Sequence, residues 1–582
     1  MSTAPNGRVP VLVRQVRHEL VSLLRTPLTM ILSVGFPLVF FVLLSALIGN
    51  VVVDEGTGVR LVQFLAPALA SFGVIMATFS FLASGLSEAR ATGVLKRQTG
   101  TPLPRWALIG GRIGAAIILG LLSVSLILVV GVVAYDLQLF GRSFAAIVVT
   151  LLLSSFTFAA LGIALALLLS RPPIVIAVTN GVAIVLAFIS GVFIVSGTTP
   201  AWMNSIAWAF PLKHMVTVFS GALDPYATGS ALQWDHLSVI ALWGVAGSAV
   251  ALWALRSGRE HATAAPQLST SPRARAEDAR PRRSTRPSGH RLLAGQVAHA
   301  QAILWRDASS VFFAVAFPLL LVAIIPTVNG GGDLDLGGGL ILGSFFAATM
   351  AVYGSAVTSF VNMPQGLAEE RERGVLKRTR GTPLPTGVML AGRVVAALVV
   401  SLLTLAGIAV LAALMYSPPV PPGWPTGVLM FVVSATTFAI VGLAVASLVH
   451  GAQAVLAATL GTLLPLCFIS DIFVAGVDLP DVVDTVSWVF PLRHAARAMT
   501  ESVSSVANPF PWEHLAVILG WAVIGVIVIA RWFRSEAVKE ATPRSRAGTA
   551  QADRGDSRPD SELTGAVTPL RGSHAADIAR RR

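Results

Sequence analysis

The amino-acid sequence predicts an all-α polytopic membrane protein made of two parallel six-helix transmembrane repeats, twelve spans in all, with interfacial amphipathic helices and re-entrant outer helices. Three observations predict this fold class. Of the 582 residues, 54% are hydrophobic and only 12% are charged, whereas a typical soluble domain is about 25% charged. Many apolar runs reach the ~20 residues that a helix needs to cross a bilayer. Several short motifs also occur twice, in the same order, which indicates tandem duplication.

Each copy contains six apolar segments that we predict to be membrane spans. In the first half they are roughly residues 28–49, 61–86, 107–135, 144–169, 174–196 and 235–255. In the second half they are roughly residues 309–328, 338–362, 387–415, 427–449, 453–475 and 514–533. The apolar stretch 197–234, between the fifth and sixth spans, is predicted to dip back into the membrane as short re-entrant helices.

Two local patterns define the start of the chain. In Val9–Leu24, apolar residues such as Val9 and Val13 fall on one helical face and polar residues such as Gln15 on the other. We therefore predict an amphipathic helix in the membrane interface. The proline of Phe36-Pro37-Leu38 has no backbone N–H, which predicts a kink in the first span.

Repeated motifs set the domain boundaries. Phe36-Pro37-Leu38 recurs as Phe317-Pro318-Leu319, displaced by 281 residues, and Phe210–His214 recurs as Phe490–His494, displaced by 280. An even number of spans per copy gives both copies the same orientation, so the repeat is parallel. The predicted domains are the first six-span half at 1–256, a linker at 257–290, the second six-span half at 291–535 and a tail at 536–582.

Positive charge is concentrated in the linker and the tail. The chain has a net charge of +13, and the stretch from Arg256 to Arg291 holds nine arginines against three acidic residues. Basic segments beside spans mark the cytoplasmic side of a membrane, so the linker and both termini are predicted to be cytoplasmic. This explanation of the charge leaves nucleic acid as an unlikely partner. The polar, proline-containing composition of the linker and tail predicts disorder.

The sequence has no recognisable nucleotide or metal motif. None of the four lysines precedes Ser or Thr, so the phosphate-binding pattern GxxxxGK[ST] is missing. The single cysteine, Cys467, rules out a disulfide framework. His214 and His494 occur once per half, before the sixth span, and we interpret them as interfacial anchors rather than metal ligands.

Few charged residues fall within the predicted spans. Arg112 and Arg393 lie near the start of the third and ninth spans, where each can snorkel or pair with an acidic residue of the preceding loop. Asp471 occupies the position of Gly191 in the first half. Two interpretations of Asp471 stay open: an asymmetric outer gate, or a position at the water boundary.

The most distinctive repeated motif follows the second span of each half. In the first half it contains Gly93-Val94-Leu95-Lys96-Arg97 and Thr101-Pro102-Leu103-Pro104, and in the second Gly374-Val375-Leu376-Lys377-Arg378 and Thr382-Pro383-Leu384-Pro385. Glycine is expected to break the helix, and Thr-Pro suits the N-cap and first position of the next span. Apolar residues such as Leu95 in a water-facing loop predict contact with a protein partner. We therefore predict a docking element.

With these motifs the chain resembles a fused pair of ABC-2-type transporter permeases, the membrane subunits of ABC exporters, including the daunorubicin-resistance-like group. The resemblance covers about residues 10–255 and 292–535. It implies that the loop after the second span forms a coupling helix in a cleft of an ATPase subunit. The implied coupling positions are Glu88, Gly93, Leu95, Lys96, Thr101, Pro102, Leu103, Glu369, Gly374, Leu376, Lys377, Thr382, Pro383 and Leu384.

The resemblance also implies partners and a mechanism. ATP and Mg would bind to a separate ATP-binding cassette ATPase, a homodimer, and no cofactor to this chain. Closure of the ATPase would drive alternating access and move a hydrophobic or amphipathic drug, antibiotic or lipid-like substrate outward across the bacterial inner (cytoplasmic) membrane. The implied substrate path, in contact with membrane lipid, contains Phe72, Met76, Phe79, Asn180, Phe188, Phe346, Met350, Phe360 and Phe468.

Two other classes stay open. A major-facilitator-type secondary transporter also has twelve spans and a central linker, but it would require an Asp-Arg-x-Gly-Arg-type loop and buried carboxylates, which the sequence lacks. A membrane-embedded lipid-modifying enzyme would require paired catalytic polar residues. The nearest candidates are Trp234-Asp235-His236 and Trp512-Glu513-His514. We expect no catalytic residue, and hence a transport subunit rather than an enzyme.

Overall fold

Long apolar helices account for the architecture. In this computed structural model, eleven helices among the described residues are long and apolar enough to cross a membrane, or twelve if one bent helix pair counts as a span. The predicted all-α polytopic fold with two repeats is thereby confirmed. The structure describes residues 8–25, 30–54, 58–169, 171–193, 200–227, 230–256, 289–473, 480–506 and 509–533.

Each half begins with a leading helix and continues through six spans, with a loop helix after the second and two re-entrant helices before the last. The first half contains the leading helix Arg8–Leu24, span 1 (Phe36–Ile48), span 2 (Leu61–Ala91), the loop helix Val94–Thr99, span 3 (Arg105–Tyr135), span 4 (Ser143–Leu168), span 5 (Pro172–Ile189), the re-entrant helices Ala201–Ala207 and Pro211–Leu223, and span 6 (Trp234–Arg256).

The second half repeats this order. It contains the leading helix Gly289–Arg306, span 7 (Ala308–Val328), span 8 (Leu342–Glu372), the loop helix Val375–Arg380, span 9 (Thr386–Tyr416), span 10 (Trp424–Leu448), span 11 (Ala452–Ile469), the re-entrant helices Asp481–Ser487 and Pro491–Ser502, and span 12 (Trp512–Phe533). A short antiparallel pair of strands, β1 (Val52–Asp54) and β2 (Val59–Arg60), joins spans 1 and 2. We call the end of the bundle with the loop helices the loop end, and the other end the re-entrant end.

Four predicted spans differ clearly from the observed helices, and one of them, predicted at 338–362, continues to Glu372 in span 8. The prediction at 28–49 is not among the eleven, because the apolar helix there, Ser33–Ala46, is too short, and residues 26–29 lie outside the described part of the chain. Spans 5 and 11 were predicted to reach residues 196 and 475, but they end at Ile189 and Ile469. Gly191 and Asp471 follow with φ of +81° and +55°, a left-handed conformation that an α-helix does not continue through.

The prolines of spans 1 and 7 coincide with distorted helix turns. A π-helical turn, Ile31–Gly35, precedes Phe36 and Pro37, and its counterpart Phe312–Ala316 precedes Phe317 and Pro318. Proline lacks the N–H that an α-helix uses, and helix kinks commonly arise at prolines and π-bulges. The predicted distortion of span 1 is therefore present, and both halves contain it.

The leading helix packs on span 3 through Leu12 and Val16 of the predicted apolar face together with Gln15 of the predicted polar face. Gln15 is buried, whereas Val9 and Val13 of the predicted apolar face are exposed, Val9 by 72%. The contact requires glycine in span 3, because a Cβ on Gly111 would lie 2.3 Å from Cγ of Gln15. Gln296 approaches Gly392 in the same way in the second half.

The two halves meet through the first and fifth spans of each repeat. A Cβ on Gly181 of span 5 would lie 3.0 Å from the ring of Phe312, and one on Gly461 of span 11 would lie 3.5 Å from Ile31. Ile184 and Phe188 of span 5 belong to the hydrophobic core of the second half. The interface therefore contains two equivalent contacts, in each of which the fifth span of one half packs against the start of the first span of the other half.

Two short helices occupy the stretch predicted to be re-entrant, and their entry into the membrane stays a prediction. Ala201–Ala207 and Pro211–Leu223 meet at 94°, so the chain turns back between span 5 and span 6. The indole Nε1 of Trp243 donates to the carbonyl of Ala209 at 2.9 Å, and Trp521 donates to Val489 at 2.8 Å in the second half. These bonds connect the turn of each re-entrant pair to the following span.

The predicted disordered segments lie almost wholly outside the described residues. This applies to 257–288 of the linker and to the whole tail at 536–582. The last two residues of the predicted linker, Gly289 and His290, begin the second leading helix.

Close helix packing in the second half yields a stability prediction. A Cβ on Gly442 of span 10 would lie 2.9 Å from the carbonyl oxygen of Ser359 and 3.0 Å from Cα of Phe360. Because both neighbours are backbone atoms, we expect Gly442→Ala to lower the free energy of unfolding by about 1–3 kcal/mol. Thermal unfolding of the purified chain in detergent measures the effect.

Gly520→Ala is the matched control, since nothing lies within 4 Å of an added Cβ there. In a helix interior this change is expected to be neutral or to stabilise by up to about 1 kcal/mol. Equal melting temperatures for the two variants would contradict the predicted close contact.

Candidate functional site: the central cavity and the loop helices

A cavity of about 1630 Å³ lies between the two halves. Its lining extends from Glu88 and Gln98 at the loop end to Phe193 and Asn329 at the re-entrant end. Most of the lining side chains are apolar or aromatic, which suits a hydrophobic ligand. Both leading helices contribute to the lining as well, through residues such as Glu19 and Ala300.

Aromatic rings from both halves contact one another near the re-entrant end. The rings of Phe40 and Phe468 are 4.6 Å apart across the interface between the halves. Phe193, directly after span 5, contacts Phe40 at 5.4 Å, and Phe473, directly after span 11, contacts Phe468 at 5.1 Å. Tyr353 extends this aromatic cluster through Phe473 at 5.3 Å. The cluster thus narrows the cavity at the ends of spans 5 and 11.

Six of the nine residues predicted for the substrate path line the cavity, and three do not. Phe72, Met76, Asn180, Phe188, Phe346 and Phe468 are among the lining residues. The other three, Phe79, Met350 and Phe360, lie within the helix packing, with Met350 completely buried. The backbones of Phe79 and Phe360 approach Gly162 and Gly442, respectively. Their aromatic and methionine side chains suggested a path, but helical periodicity alone could not distinguish the two faces of so buried a helix.

Charged pairs surround the loop end of the cavity, and the two halves build them differently. The guanidinium of Arg112 lies 3.5 Å from Glu19 of the leading helix. Its counterpart Arg393 pairs instead with Glu370 at the end of span 8. The positions of these two carboxylates in the other half are Ala300 and Ala89. The predicted pairing with a loop acid therefore holds for Arg393, while Arg112 uses a different helix.

The remaining acidic residues of the loop motif line the same part of the cavity. Glu88 and Glu369 are both lining residues. Glu369 forms an exposed ion pair with Arg373 one helical turn later, at 3.1 Å. These carboxylates thus lie where the cavity meets the loop helices.

Left-handed glycines separate the loop helices from the preceding spans. Gly93 has φ of +72° and Gly374 has φ of +69°, a conformation that glycine adopts without steric cost. The predicted break is therefore present in both halves. It lets the loop helix leave the axis of span 2 or span 8.

The leucines of the loop helices face their own bundle, which corrects the prediction that they await a partner. Leu95 packs against the cluster that contains Leu82, Leu86 and Ile163, and Leu376 is only 6% exposed. Burial of these leucines stabilises the packing of each loop helix against the spans. The loop helices expose other residues, namely Lys96, Arg97, Lys377 and Arg378, and the turns after them expose Thr101, Pro102, Thr382 and Pro383, beside the half-buried Leu103 and Leu384.

The Thr-Pro pairs do not cap the next span, contrary to the prediction. Span 3 begins after Pro104, and span 9 after Pro385, without a side-chain cap. The hydroxyl of Thr101 instead donates to the carbonyl of Gln98 at 2.6 Å, as Thr382 does to Thr379. These threonines therefore satisfy carbonyls at the end of the loop helix, where helices leave acceptors unpaired.

Two arginines in the repeated motif connect span 2 to span 4 and span 8 to span 10, a role that the sequence analysis missed. Arg90 donates from Nη1 to the carbonyl of Ala166 at 3.0 Å, and Arg371 donates to Ala446 at 3.0 Å and Val449 at 2.8 Å. Each guanidinium thus caps the C-terminal end of a span, where positive charge is favourable. The recurrence of arginine at both positions was the available signal.

The re-entrant end of the second half contains an ion-pair network. Asp471 contacts Arg493 at 2.7 Å and Arg497 at 2.8 Å, and Arg493 also contacts Asp484 at 2.8 Å. Arg493 is only 2% exposed, and it needs these partners because an unpaired buried charge is costly.

The first half cannot form this network. The corresponding positions hold Gly191, Lys213, Thr217 and Asn204. Lys213 lies over the ring of Trp208 at 5.4 Å. The asymmetry that Asp471 suggested is therefore present in the structure.

The histidines are not isolated, which corrects their interpretation as single anchors. Nδ1 of His214 lies 2.9 Å from Nδ1 of His236, and the same distance joins His494 to His514. Sequence reasoning missed these pairs because the partners are 22 and 20 residues apart. The described residues contain no group of three or more His, Cys, Asp or Glu side chains suited to hold a metal ion.

Moving the carboxylate partner of Arg393 from span 8 to the leading helix tests this ion pair. Glu370→Ala would leave the guanidinium of Arg393 without its partner while its side chain is only 11% exposed. We expect a loss of up to about 3 kcal/mol in the free energy of unfolding. Adding Ala300→Glu should restore most of it, because the equivalent Glu19 pairs with Arg112 in the first half. Thermal unfolding measures both changes.

Glu369→Ala is the control for this experiment. Glu369 is adjacent in sequence but forms an exposed ion pair, so its removal should cost at most about 1 kcal/mol. A Glu370→Ala variant as stable as this control, or one that Ala300→Glu fails to rescue, would contradict the pairing.

Comparison with known families agrees with the repeat. A family model described as ABC-2 type transporter matches residues 12–223 and 298–503, which together are more than half of the chain. The two matches begin within the two leading helices and end at the re-entrant helices. No curated protein matches the chain.

Proposed function

This chain belongs to the ABC-2 type transporter family, and we propose that it is the permease subunit of an ABC exporter. Family membership supports a membrane permease role, with two copies of the family's membrane domain in one chain, and it favours a transport subunit over an enzyme. The proposal adds a direction, a partner and a substrate class. A separate ATPase homodimer hydrolyses ATP, and the permease moves a hydrophobic or amphipathic molecule outward across a bacterial cytoplasmic membrane, with linker and termini in the cytoplasm.

The observation that carries the proposal is the pair of loop helices. Each exposes two adjacent basic residues, Lys96 and Arg97 in the first half and Lys377 and Arg378 in the second. Two equivalent sites on one chain suit a partner with twofold symmetry, since a homodimer presents the same surface twice. Basic side chains on both sites favour an acidic cleft as their counterpart.

The packing of the loop helices supports a mechanical connection to the spans. Leu376 is buried against the bundle, and Arg371 at the end of span 8 bonds to the end of span 10. A force on the loop helix would therefore act on two spans together rather than bend a flexible loop. Rigid-body motion of packed helices is a common form of conformational switching.

The cavity supports the substrate class and alternating access. Its aromatic and aliphatic lining suits a hydrophobic cargo. At the re-entrant end the aromatic cluster, including Phe40 and Phe468, narrows the path. We propose that ATP-driven approach of the loop helices separates this cluster, and that cargo then leaves on the re-entrant side. The cargo gains direction because its affinity differs between the two conformations.

The two alternatives receive less support. Within the described spans, acidic residues occur only near the ends, as Glu88, Asp235 and Glu369 illustrate, so a proton path through the membrane centre has no obvious carboxylate. The candidate enzyme motifs place His236 and His514 against a second histidine in separate halves. Family membership likewise favours a permease over both alternatives.

Charge reversal on one loop helix tests the docking surface. When the full chain is purified from its own cells, we expect the accompanying ATPase activity to be at least about tenfold lower for Lys377→Glu with Arg378→Glu than for the wild type. The reason is that like charges destabilise a complementary interface. The melting temperature of the chain should stay unchanged, since both side chains are exposed. ATPase activity per mole of permease, in detergent, is the measurement.

Arg256→Glu with Arg531→Glu is the matched control. It makes the same change in charge at exposed positions at the ends of spans 6 and 12, outside the loop helices themselves, and hydrolysis should persist. Leu376→Asp should instead lower the melting temperature, because Leu376 is buried. Full ATPase activity in the Lys377/Arg378 variant would refute the docking role.

The energy source has its own test. In inverted membrane vesicles that contain the full chain and its ATPase, ATP should drive accumulation of a lipophilic fluorescent dye, and an uncoupler should leave that accumulation unchanged. Accumulation that an uncoupler abolishes and that ATP depletion does not affect would support a secondary transporter instead.

A further inference from the structure

The histidine pair of the first half joins a re-entrant helix to the following span. His214 lies in the re-entrant helix Pro211–Leu223, and His236 lies in the first turn of span 6. The indole of Trp208 stacks on the ring of His236 at 5.5 Å and meets the ring of His214 edge-on at 5.3 Å. The two imidazoles are therefore held in one defined arrangement.

Hydrogen-bond chemistry determines where the protons of this pair lie. Nε2 of His214 is 2.9 Å from the carbonyl oxygen of Trp208, and because a carbonyl only accepts, Nε2 carries the hydrogen. In the neutral ring Nδ1 of His214 is then the acceptor. His236 must donate from its own Nδ1 across the 2.9 Å contact. A neutral His214 accepts this bond whether His236 is neutral or protonated, and a protonated His214 can keep the contact only by donating from Nδ1 to a neutral His236.

The second half repeats this arrangement. Nε2 of His494 is 2.8 Å from the carbonyl of Trp488, and its Nδ1 is 2.9 Å from Nδ1 of His514. Trp488 again stacks on the outer ring, that of His514, at 6.0 Å. Two copies of the same four-part geometry in diverged halves indicate a common role rather than chance packing.

Charged neighbours contact the outer histidines rather than the inner ones. Nε2 of His514 lies 3.5 Å from Glu501, and Nε2 of His236 lies 3.8 Å from Asp235. These carboxylates face the nitrogen that does not take part in the histidine–histidine contact. An outer imidazole that takes up a proton can therefore donate to a carboxylate and keep its bond to the inner ring.

The other charged groups around the inner histidines are few. His214 follows Lys213, whose ammonium lies over Trp208. His494 follows Arg493, which contacts Asp471 and Asp484, and it lies on the same helix as Arg497; Glu513 precedes His514. The parts of spans 2, 4, 5, 8, 10 and 11 that pack against these helices contain no charged residue at this end among those described.

We propose that His214–His236 and His494–His514 are proton-binding sites that hold each re-entrant helix against the following span and release it when the inner histidine takes up a proton while the outer one is already protonated. With both inner and outer rings protonated, two N–H groups would face each other at 2.9 Å, and neither could accept. The proposal goes beyond the exporter function, because it requires neither the ATPase nor the cargo.

The direction of the pH effect follows from burial. The inner histidines lie in the re-entrant helices, outside the spans, and burial lowers the pKa of both His214 and His494 below the ordinary 6.5. A released, hydrated ring would recover the ordinary pKa, so the released form binds protons more tightly. The closed form is then fully favoured above about pH 6.5, and it loses stability as the pH falls below that value.

Ring-nitrogen NMR and hydrogen exchange test this proposal on the full chain in lipid nanodiscs. With 15N-labelled histidine, assigned through single His→Asn variants, His214 and His494 should appear at pH 7.5 as neutral rings protonated on Nε2. Between pH 7.5 and 5.5, exchange of Pro211–Leu223 and Pro491–Ser502, corrected for intrinsic rates, should accelerate by up to about tenfold per pH unit below 6.5.

Two variants define the comparison. His214→Asn with His494→Asn should abolish the pH dependence of exchange in both helices, because asparagine does not titrate in this range. His299→Asn, at an exposed position on the second leading helix, should leave that dependence unchanged.

Either of two results would overturn the proposal. One is a pair in which the inner and the outer histidine are each protonated on both nitrogens while the re-entrant helix stays protected from exchange. The other is a pH response of the wild type no larger than that of the double variant. Because the NMR measurement uses the unmodified protein, the first result is informative even if the double variant does not fold.

Discussion

Every backbone polar group inside a bilayer must find its partner within the protein, since hydrocarbon offers none, and a buried charge is costly without one. This constraint accounts for the helical spans, whose backbone groups bond within each helix, and it also explains where the charges lie. Arg112, Arg393 and Arg493 each contact a carboxylate. Arg90 and Arg371 bond to backbone carbonyls that a helix end leaves unpaired. Loop helices, cavity rim and re-entrant ends all depend on contacts of this kind.

Both halves contain these contacts, but equivalent positions do not always supply the partner residue. Arg112 and Arg393 occupy equivalent positions, yet one takes its carboxylate from the leading helix and the other from span 8. A carboxylate could change helices because the leading helix and the end of span 2 or span 8 both border the same guanidinium. By contrast, the histidine pairs and the Arg90 and Arg371 caps are the same in both halves. In these contacts only one position can supply the required partner, so the partner residue cannot move to another helix.

The sequence predicted the parts of this molecule that follow from periodicity and repetition. Hydropathy located most spans to within a few residues, although it misplaced the ends of spans 5, 8 and 11, and the recurring Gly93 and Gly374 located the helix breaks. Side-chain direction was beyond its reach: Leu95 faces the bundle, Gln15 is buried, and Thr101 bonds backwards rather than forwards. Each of these depends on which neighbouring helix lies close by, and a single amino-acid sequence does not specify that. The pairing of His214 with His236 depends on the 94° bend of the re-entrant helices, and so was equally hidden.

The two re-entrant ends differ in how firmly they are held, and this bears on how the cavity opens. In the second half, Asp471 directly follows span 11 and joins it to the re-entrant helix through Arg493 and Arg497. In the first half Gly191 takes that place, and among the described residues no ion pair joins span 5 to the re-entrant helix. Phe193 and Phe473, which complete the aromatic cluster, lie two residues beyond Gly191 and Asp471. A motion that separates the cluster therefore meets less electrostatic resistance on the side of Phe193, and the first half is the one expected to move further.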